Sequence, residues 1–179
     1  EQDMPAPFRG VVNVDIQDSV PDWEPYRQPM APEGAPSVLY VVLDDVGFSA
    51  MEPFGGLIET PNMNRIAQRG IRYTNFHTTA LCSPTRSCLL TGRNSWQLEA
   101  AGNHICFFPP KFKTYAEALA EHGYFVGKTT KGWGPGVAND EAGKPRLMAG
   151  RAFEARKAEP SAKGISNSDY AGNFADFLK

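Results

Sequence analysis

Residues 37–43, Ser-Val-Leu-Tyr-Val-Val-Leu, form an unbroken apolar run rich in β-branched side chains, the pattern of a strand buried on both faces of a parallel sheet. The run stops at Asp44-Asp45-Val46-Gly47, where Gly47 permits a turn. Thr60 and Pro61 then read as an N-cap and a proline at the first helical position, with Met63, Ile66 and Ala67 at helical spacing and Gly70 as the stop. Thr114 and Glu117 make a capping-box pair before Tyr115, Ala118 and Leu119, and Gly123 ends that helix. Tyr170, Phe174, Phe177 and Leu178 predict a last amphipathic helix still running at Lys179. Residues 71–76 and 124–126 read as strands, and 134–164, rich in Gly, Pro, Ala and charge, as a long surface excursion. This alternation predicts an α/β fold with a mostly parallel sheet covered by helices, in which ligands bind beyond the carboxyl ends of the strands.

The first 36 residues differ in texture and hold seven of the 15 prolines. They predict an extended arm docked through Phe8, Trp23 and Tyr26, with residues 37–179 forming the rest. Few strands and a helix at the very end make the pattern that of a larger sheet's N-terminal part. At 179 residues, 41% hydrophobic and 21% charged, composition is that of ordinary globular protein. The net charge of −2, from 18 basic and 20 acidic residues, supplies no attraction to nucleic acid or an anionic membrane. No apolar run approaches the ~18–20 residues that span a bilayer. The opening Glu-Gln-Asp-Met carries no basic-then-apolar export signal, so the expected compartment is the cytoplasm, with export as the alternative. Three cysteines, Cys82, Cys88 and Cys106, cannot build a disulfide framework or a zinc site by themselves; Cys88 and Cys106 read as plain buried thiols.

Two segments carry candidate chemistry. Adjacent carboxylates at Asp44-Asp45 repel unless a cation compensates them, and hard ions such as Ca²⁺ or Mg²⁺ suit such oxygens. Successive strand residues face opposite ways, so both reach one ion only if the backbone bends; an acidic turn with one capping Asp is the plainer alternative. The second segment is Cys82-Ser83-Pro84-Thr85-Arg86, continuing to Leu90-Thr91-Gly92-Arg93. Pro84 suits a first helical turn and Gly92 a helix end, which places Cys82 at an N-terminus that favours anions. Arg86, one turn on, adds a forked cation suited to a tetrahedral oxyanion. A capped helix with a small buried thiol fits the same residues.

Cys-x-Pro-x-Arg followed by Leu-Thr-Gly-Arg, as residues 82–93 stand, resembles the signature of the formylglycine-dependent sulfatases. Asp44-Asp45 and Thr60-Pro61-Asn62 stand in that family's order and spacing. The likeness covers residues 38–136 well: residues 44–93 are most similar to bacterial arylsulfatases, and residues 94–136, with Lys131-Gly132-Trp133-Gly134-Pro135-Gly136, to the sulfamidase-like branch. The resemblance implies an alkaline-phosphatase-like fold and hydrolysis of sulfate esters or sulfamates. Cys82, oxidised to formylglycine by a formylglycine-generating enzyme, would form an aldehyde hydrate; one hydroxyl would attack sulfur and the other would later expel sulfate. Asp44, Asp45 and the converted Cys82 would be ligands of a Ca²⁺ or Mg²⁺ ion, Arg86 would brace the hydrate, and Lys131 would bind sulfate. Thr130 stands where the family usually has glycine, and Trp133 where many sulfatases place a histidine.

The substrate expected from this is a small-molecule or saccharide sulfate; His104, which follows the signature helix, is a candidate to line its pocket, with a plain packed histidine as the leading alternative. His77 reads as a hydrogen-bonded core residue, His122 as a cation suited to a helix's last turn, and Trp96, Phe107 and Phe108 as core. Two alternatives stand beside the sulfatase reading: a phosphate or phosphonate ester hydrolase of the same superfamily, and a non-catalytic fragment or pseudo-enzyme. Two carboxylates and one hydrate oxygen fall short of the ~6–8 ligands Ca²⁺ takes. The 179 residues alone are therefore expected to bind metal weakly and to be inactive.

Overall fold

The computed structural model describes residues 7–23, 34 and 37–179, and the chain divides into two units, Glu1–Val42 and Leu43–Lys179. In the first unit, Val11 and Val20 pair antiparallel through two 2.9 Å backbone hydrogen bonds, and Asp15 caps the turn between them by accepting from the Gln17 amide. Phe8 and Trp23 stay exposed; Tyr26, the third expected anchor, lies outside the described residues.

The second unit carries four helices among its described residues: Pro61–Arg69 (α1), Cys82–Thr91 (α2), Tyr115–Glu121 (α3) and Tyr170–Phe177 (α4). Helices α1 and α3 begin where the capping pattern places them. At α3, Thr114 Oγ1 accepts from the Glu117 amide and the Glu117 carboxylate accepts from the Thr114 amide, satisfying two end groups reciprocally. Gly92 ends α2 at φ +66°, where a side chain would be strained. His122 donates from Nδ1 to the Ala118 carbonyl at the end of α3. Helix α4 stops at Phe177, one residue before its cap Leu178, rather than continuing to Lys179. No helix among the described residues is long and apolar enough to cross a membrane.

Four two-residue strands are present among the described residues: Cys106–Phe107 (β1), Gly127–Lys128 (β2), Gly136–Val137 (β3) and Arg151–Ala152 (β4). Both pairings are parallel, β1 with β3 and β2 with β4, as the helix–strand alternation requires. The core of this unit is Leu90, Leu98, Ala101, Phe108 and Met148, all nearly or fully buried. Trp133 meets the Phe108 ring edge-on at 5.5 Å, and Thr114 Oγ1 donates to the Met148 carbonyl. Phe125, Phe153, Phe174 and Phe177 form a second cluster joining α4 to the β2–β4 pair.

Several local expectations give way here. Residues 37–43 form no strand, and Val38 to Leu43 are 41–71% exposed. A strand needs a neighbouring strand as well as an apolar pattern, and neither two-stranded sheet among the described residues includes this run. Residues 71–76 likewise form no strand, with Ile71 and Tyr73 exposed, and Ile66 leaves the apolar face of α1 uncovered. Residues 134–164 are not simply a surface excursion, because β3, β4 and the core residue Met148 come from them. The strand expected at 124–126 begins at Gly127, since the Val126 carbonyl already accepts from the Arg151 amide. His77 is exposed and bonds the Asn75 side chain, and Trp96 is exposed rather than core.

Candidate active site

Helix α2 presents a buried stripe: Ser83, Arg86, Ser87 and Leu90 are each at most 5% exposed. Ser83, Ser87 and Leu90 follow i, i+4, i+7 spacing, so two serines and a guanidinium lie on the face an apolar helix would fill. Their polar atoms are all used. Arg86 Nη1 donates to the carbonyls of Lys131 (2.5 Å) and Gly132 (3.3 Å). Ser87 Oγ donates to the Ser83 carbonyl and accepts from Trp133 Nε1, both at 2.9 Å. These bonds strap residues 131–133 across α2, and Trp133 is held there as a donor and a core ring, a place an imidazole would fill less well.

The strap brings Lys131 to the start of the helix. Its Nζ donates to Asp44 Oδ2 at 2.6 Å and interacts with the Cys82 side chain. Arg86 Nη2 lies 3.6 Å from Asp44 Oδ1, so both carboxylate oxygens face cations. The hydrogen bond from Lys131 holds the Asp44 carboxyl below its ordinary pKa, against burial and with help from Arg86. The same bond, against burial and with help from Cys82, holds the Lys131 ammonium above its own. Thr130, just before Lys131, has φ +58°. That is the left-handed region, uncomfortable for a β-branched residue, and glycine there would be relaxed.

Cys82 is the first residue of α2, among the unpaired amides of a helix N-terminus. Its Sγ lies 3.9 Å from His104 Nδ1, which also meets Ser83 Oγ at 3.1 Å. Cys88 and Cys106 are free and partly buried, and burial pushes both thiols up in pKa. Of the expected site residues, Asp44, Cys82, Arg86, His104 and Lys131 are therefore brought together. Ser83, Ser87 and the strapping role of Trp133 were not foreseen; the signal was two serines four apart in a helix otherwise expected to bury carbon.

An aldehyde hydrate at residue 82 would suit this place, since its oxygens would lie at a helix N-terminus on the same helix that Lys131 is strapped to. A divalent ion does not find a complete site. The needed bend is present, at Asp45 (φ +55°) rather than at Gly47 (φ −76°). Yet no group of three His, Cys, Asp or Glu side chains among the described residues can hold a metal, and Asp44 is already engaged by Lys131 and Arg86. Asp44, Asp45 and Cys82 thus do not assemble as one donor set.

The sequence model of the sulfatase family matches residues 36–174. A sulfatase of Schizosaccharomyces pombe described as uncharacterized is 53% identical over 60 residues, 34% of this chain and 11% of its own length. The arylsulfatase of Klebsiella aerogenes is 31% identical over 121 residues, covering 68% of this chain and 24% of that enzyme. An N-acetylgalactosamine-6-O-sulfatase of Bacteroides thetaiotaomicron is 34% identical over 114 residues, covering 59% and 22%. The chain thus spans between about a tenth and a quarter of the length of these relatives. With the family match running through both the helix that bears Cys82 and the strap that bears Lys131, this chain belongs to the sulfatase family, with its alkaline-phosphatase-like α/β fold.

Proposed function

We propose that this chain supplies the nucleophile and sulfate-binding cations of a sulfuric ester hydrolase acting on sulfate esters or sulfamates of small molecules or saccharides. The observation that carries the reading is that Arg86, one turn into the helix that Cys82 begins, ties the Lys131 backbone to that helix and faces the same Asp44 carboxylate that Lys131 pairs with. Formylglycine at residue 82, made by a formylglycine-generating enzyme, supplies an aldehyde-hydrate oxygen as the nucleophile toward sulfur. Lys131 offers a compact cation to a sulfate oxygen, and the first amides of α2 favour the same negative charge. Arg86, buried and with both Nη atoms engaged, holds Asp44 and the 131–132 backbone in register. Preorganised positive groups of this kind stabilise charge that develops on the transferring group.

The family resemblance also implies Ca²⁺ or Mg²⁺. Asp44 and Asp45 fall well short of the ~6–8 oxygens that Ca²⁺ takes, so no step is assigned to an ion here, and the 179 residues by themselves are proposed to turn over nothing. The test is to produce the complete gene product with a formylglycine-generating enzyme and assay 4-nitrophenyl sulfate, glucosamine N-sulfate and 4-nitrophenyl phosphate side by side. Faster turnover of a sulfate ester or sulfamate is expected. Preference for the phosphate ester, or no turnover of any of the three, would overturn the proposal.

A further inference from the structure

The segment between the short 3₁₀ turn Glu99–Gly102 and β1 contains an unfavourable backbone. Ile105 has φ +50°, a left-handed conformation that is strained for a non-glycine residue and worst for a β-branched one. Burial of the Ile105 side chain does not offset this, because that side chain is 71% exposed. What the conformation achieves is on its other side. The Ile105 amide donates to Ser83 Oγ at 3.3 Å, and the same oxygen lies 3.1 Å from His104 Nδ1. Ser83 is fully buried, so its hydroxyl has a fixed environment and no water to turn toward. The imidazole held this way stands 3.9 Å from Cys82 Sγ. The far end of the segment is fixed by the pairing of Cys106 with Gly136. Strain kept where the surroundings over-determine it, and spent on aiming one side chain, marks a positioning device.

We propose that Ser83 and His104 act as one pair of positioning residues, Ser83 fixing the imidazole and the imidazole fixing the side chain of residue 82 opposite Lys131. The pair rests on the sulfatase reading above but names residues that reading does not use. Residue 82 is then held by a nitrogen of His104, and without the pair it would sample other rotamers. Loss of the pair should lower the rate of the chemical step more than substrate binding, since misplacement of a reacting group by about 1 Å can cost on the order of 10²-fold.

The experiment uses the complete gene product with His104→Ala, His104→Asn, Ser83→Ala and the Ser83→Ala/His104→Ala double variant. Formylglycine content at residue 82 is measured by peptide mass, thermal stability by Tm, and kcat and KM on 4-nitrophenyl sulfate, with rates normalised to formylglycine content. The expected result for His104→Ala is a fall in kcat of about 10–100-fold with KM changed by less than about threefold. His104→Asn, which can place a polar atom near that of Nδ1, should recover part of the rate. The double variant should be no slower than the slower single variant, because the two residues form one unit. Unchanged kcat in His104→Ala at normal formylglycine content would overturn the inference. So would additive losses, or losses that track Tm alone. A wild type that carries formylglycine but hydrolyses no sulfate ester or sulfamate would instead overturn the sulfatase reading, and this inference with it.

Discussion

The ammonium of Lys131 donates to Asp44 across 87 residues of chain, 2.6 Å from nitrogen to oxygen. Neither residue reaches the other by local structure. The contact exists because Arg86 and Ser87 of α2 hold residues 131–133 against the helix, while the chain turns at Asp45 through a left-handed conformation. A cation, a carboxylate and the signature cysteine thereby meet at one helix end.

Removing the Lys131 charge should therefore strike the reaction harder than the fold. Lys131→Ala is expected to lower kcat/KM on 4-nitrophenyl sulfate by about 10²–10³-fold, the usual cost of losing one preorganised charge-stabilising donor. Both ion-pair partners are at least a third exposed, so their pairing adds little to stability. Steady-state kinetics beside a Tm measurement checks this; a large Tm loss with a small kinetic effect would refute it.

Arg86→Lys keeps the charge but loses the fork that serves two carbonyls and faces Asp44. At a bidentate buried site the exchange is not conservative. The variant should be destabilised by about 1–3 kcal/mol, since two part-buried carbonyls lose their partner, and should lose activity as well. Chemical denaturation with a parallel sulfatase assay reads both effects.

Two backbone substitutions should shift stability in opposite directions. Thr130 sits at φ +58°, so Thr130→Gly relieves strain of about 1–3 kcal/mol against a glycine entropy cost of about 0.5–1 kcal/mol. A rise in Tm of about 2–4 °C is expected. Gly92 has φ +66°, and a Cβ there would meet no atom within 4 Å, so Gly92→Ala bears the backbone strain alone and should cost about 1 kcal/mol. Calorimetry on the two variants gives the signs.

Glu117 and Arg146 form a two-pronged ion pair at 2.6 and 2.7 Å with side chains only 21% and 8% exposed. Burial pushes the Glu117 carboxyl up, but the hydrogen bonds and charge of Arg146 and the Thr114 amide outweigh it, and the net shift is below the ordinary value of 4.5. A depressed carboxylate contributes stability that is complete above its unfolded pKa and is lost as pH falls through the folded one. Glu117→Gln should thus cost about 3 kcal/mol near neutral pH, and the Tm gap from wild type should narrow as the pH drops below 4.5. A gap that stays constant with acidification would contradict this.

The helix ends were legible because each is a local event. Thr114 with Glu117, Gly92 after Thr91, and Pro61 at the first position of α1 act over one turn, although Thr60 takes the N-cap position without a side-chain cap bond. Strands were legible only in type. The apolar run at 37–43 says what it could bury but names no neighbouring strand, and neither sheet among the described residues takes it in. At the site, Cys82, Arg86 and Lys131 came from the signature and its spacing. Ser83 and Ser87 did not, since a serine inside a helix carries no local mark of the imidazole or indole that long-range packing sets against it. The incomplete metal set has a similar origin, because adjacency of Asp44 and Asp45 in sequence does not bring their carboxylates to one point.

The central claim is that residue 82 is a converted nucleophile, and the most direct test is peptide mass mapping across residues 81–93 of protein produced with a formylglycine-generating enzyme. The expected result is an aldehyde at Cys82, trapped by a hydrazide reagent, and unmodified thiols at Cys88 and Cys106. An intact thiol at Cys82 under those conditions would contradict it and leave Cys82 as a packing residue at the start of α2.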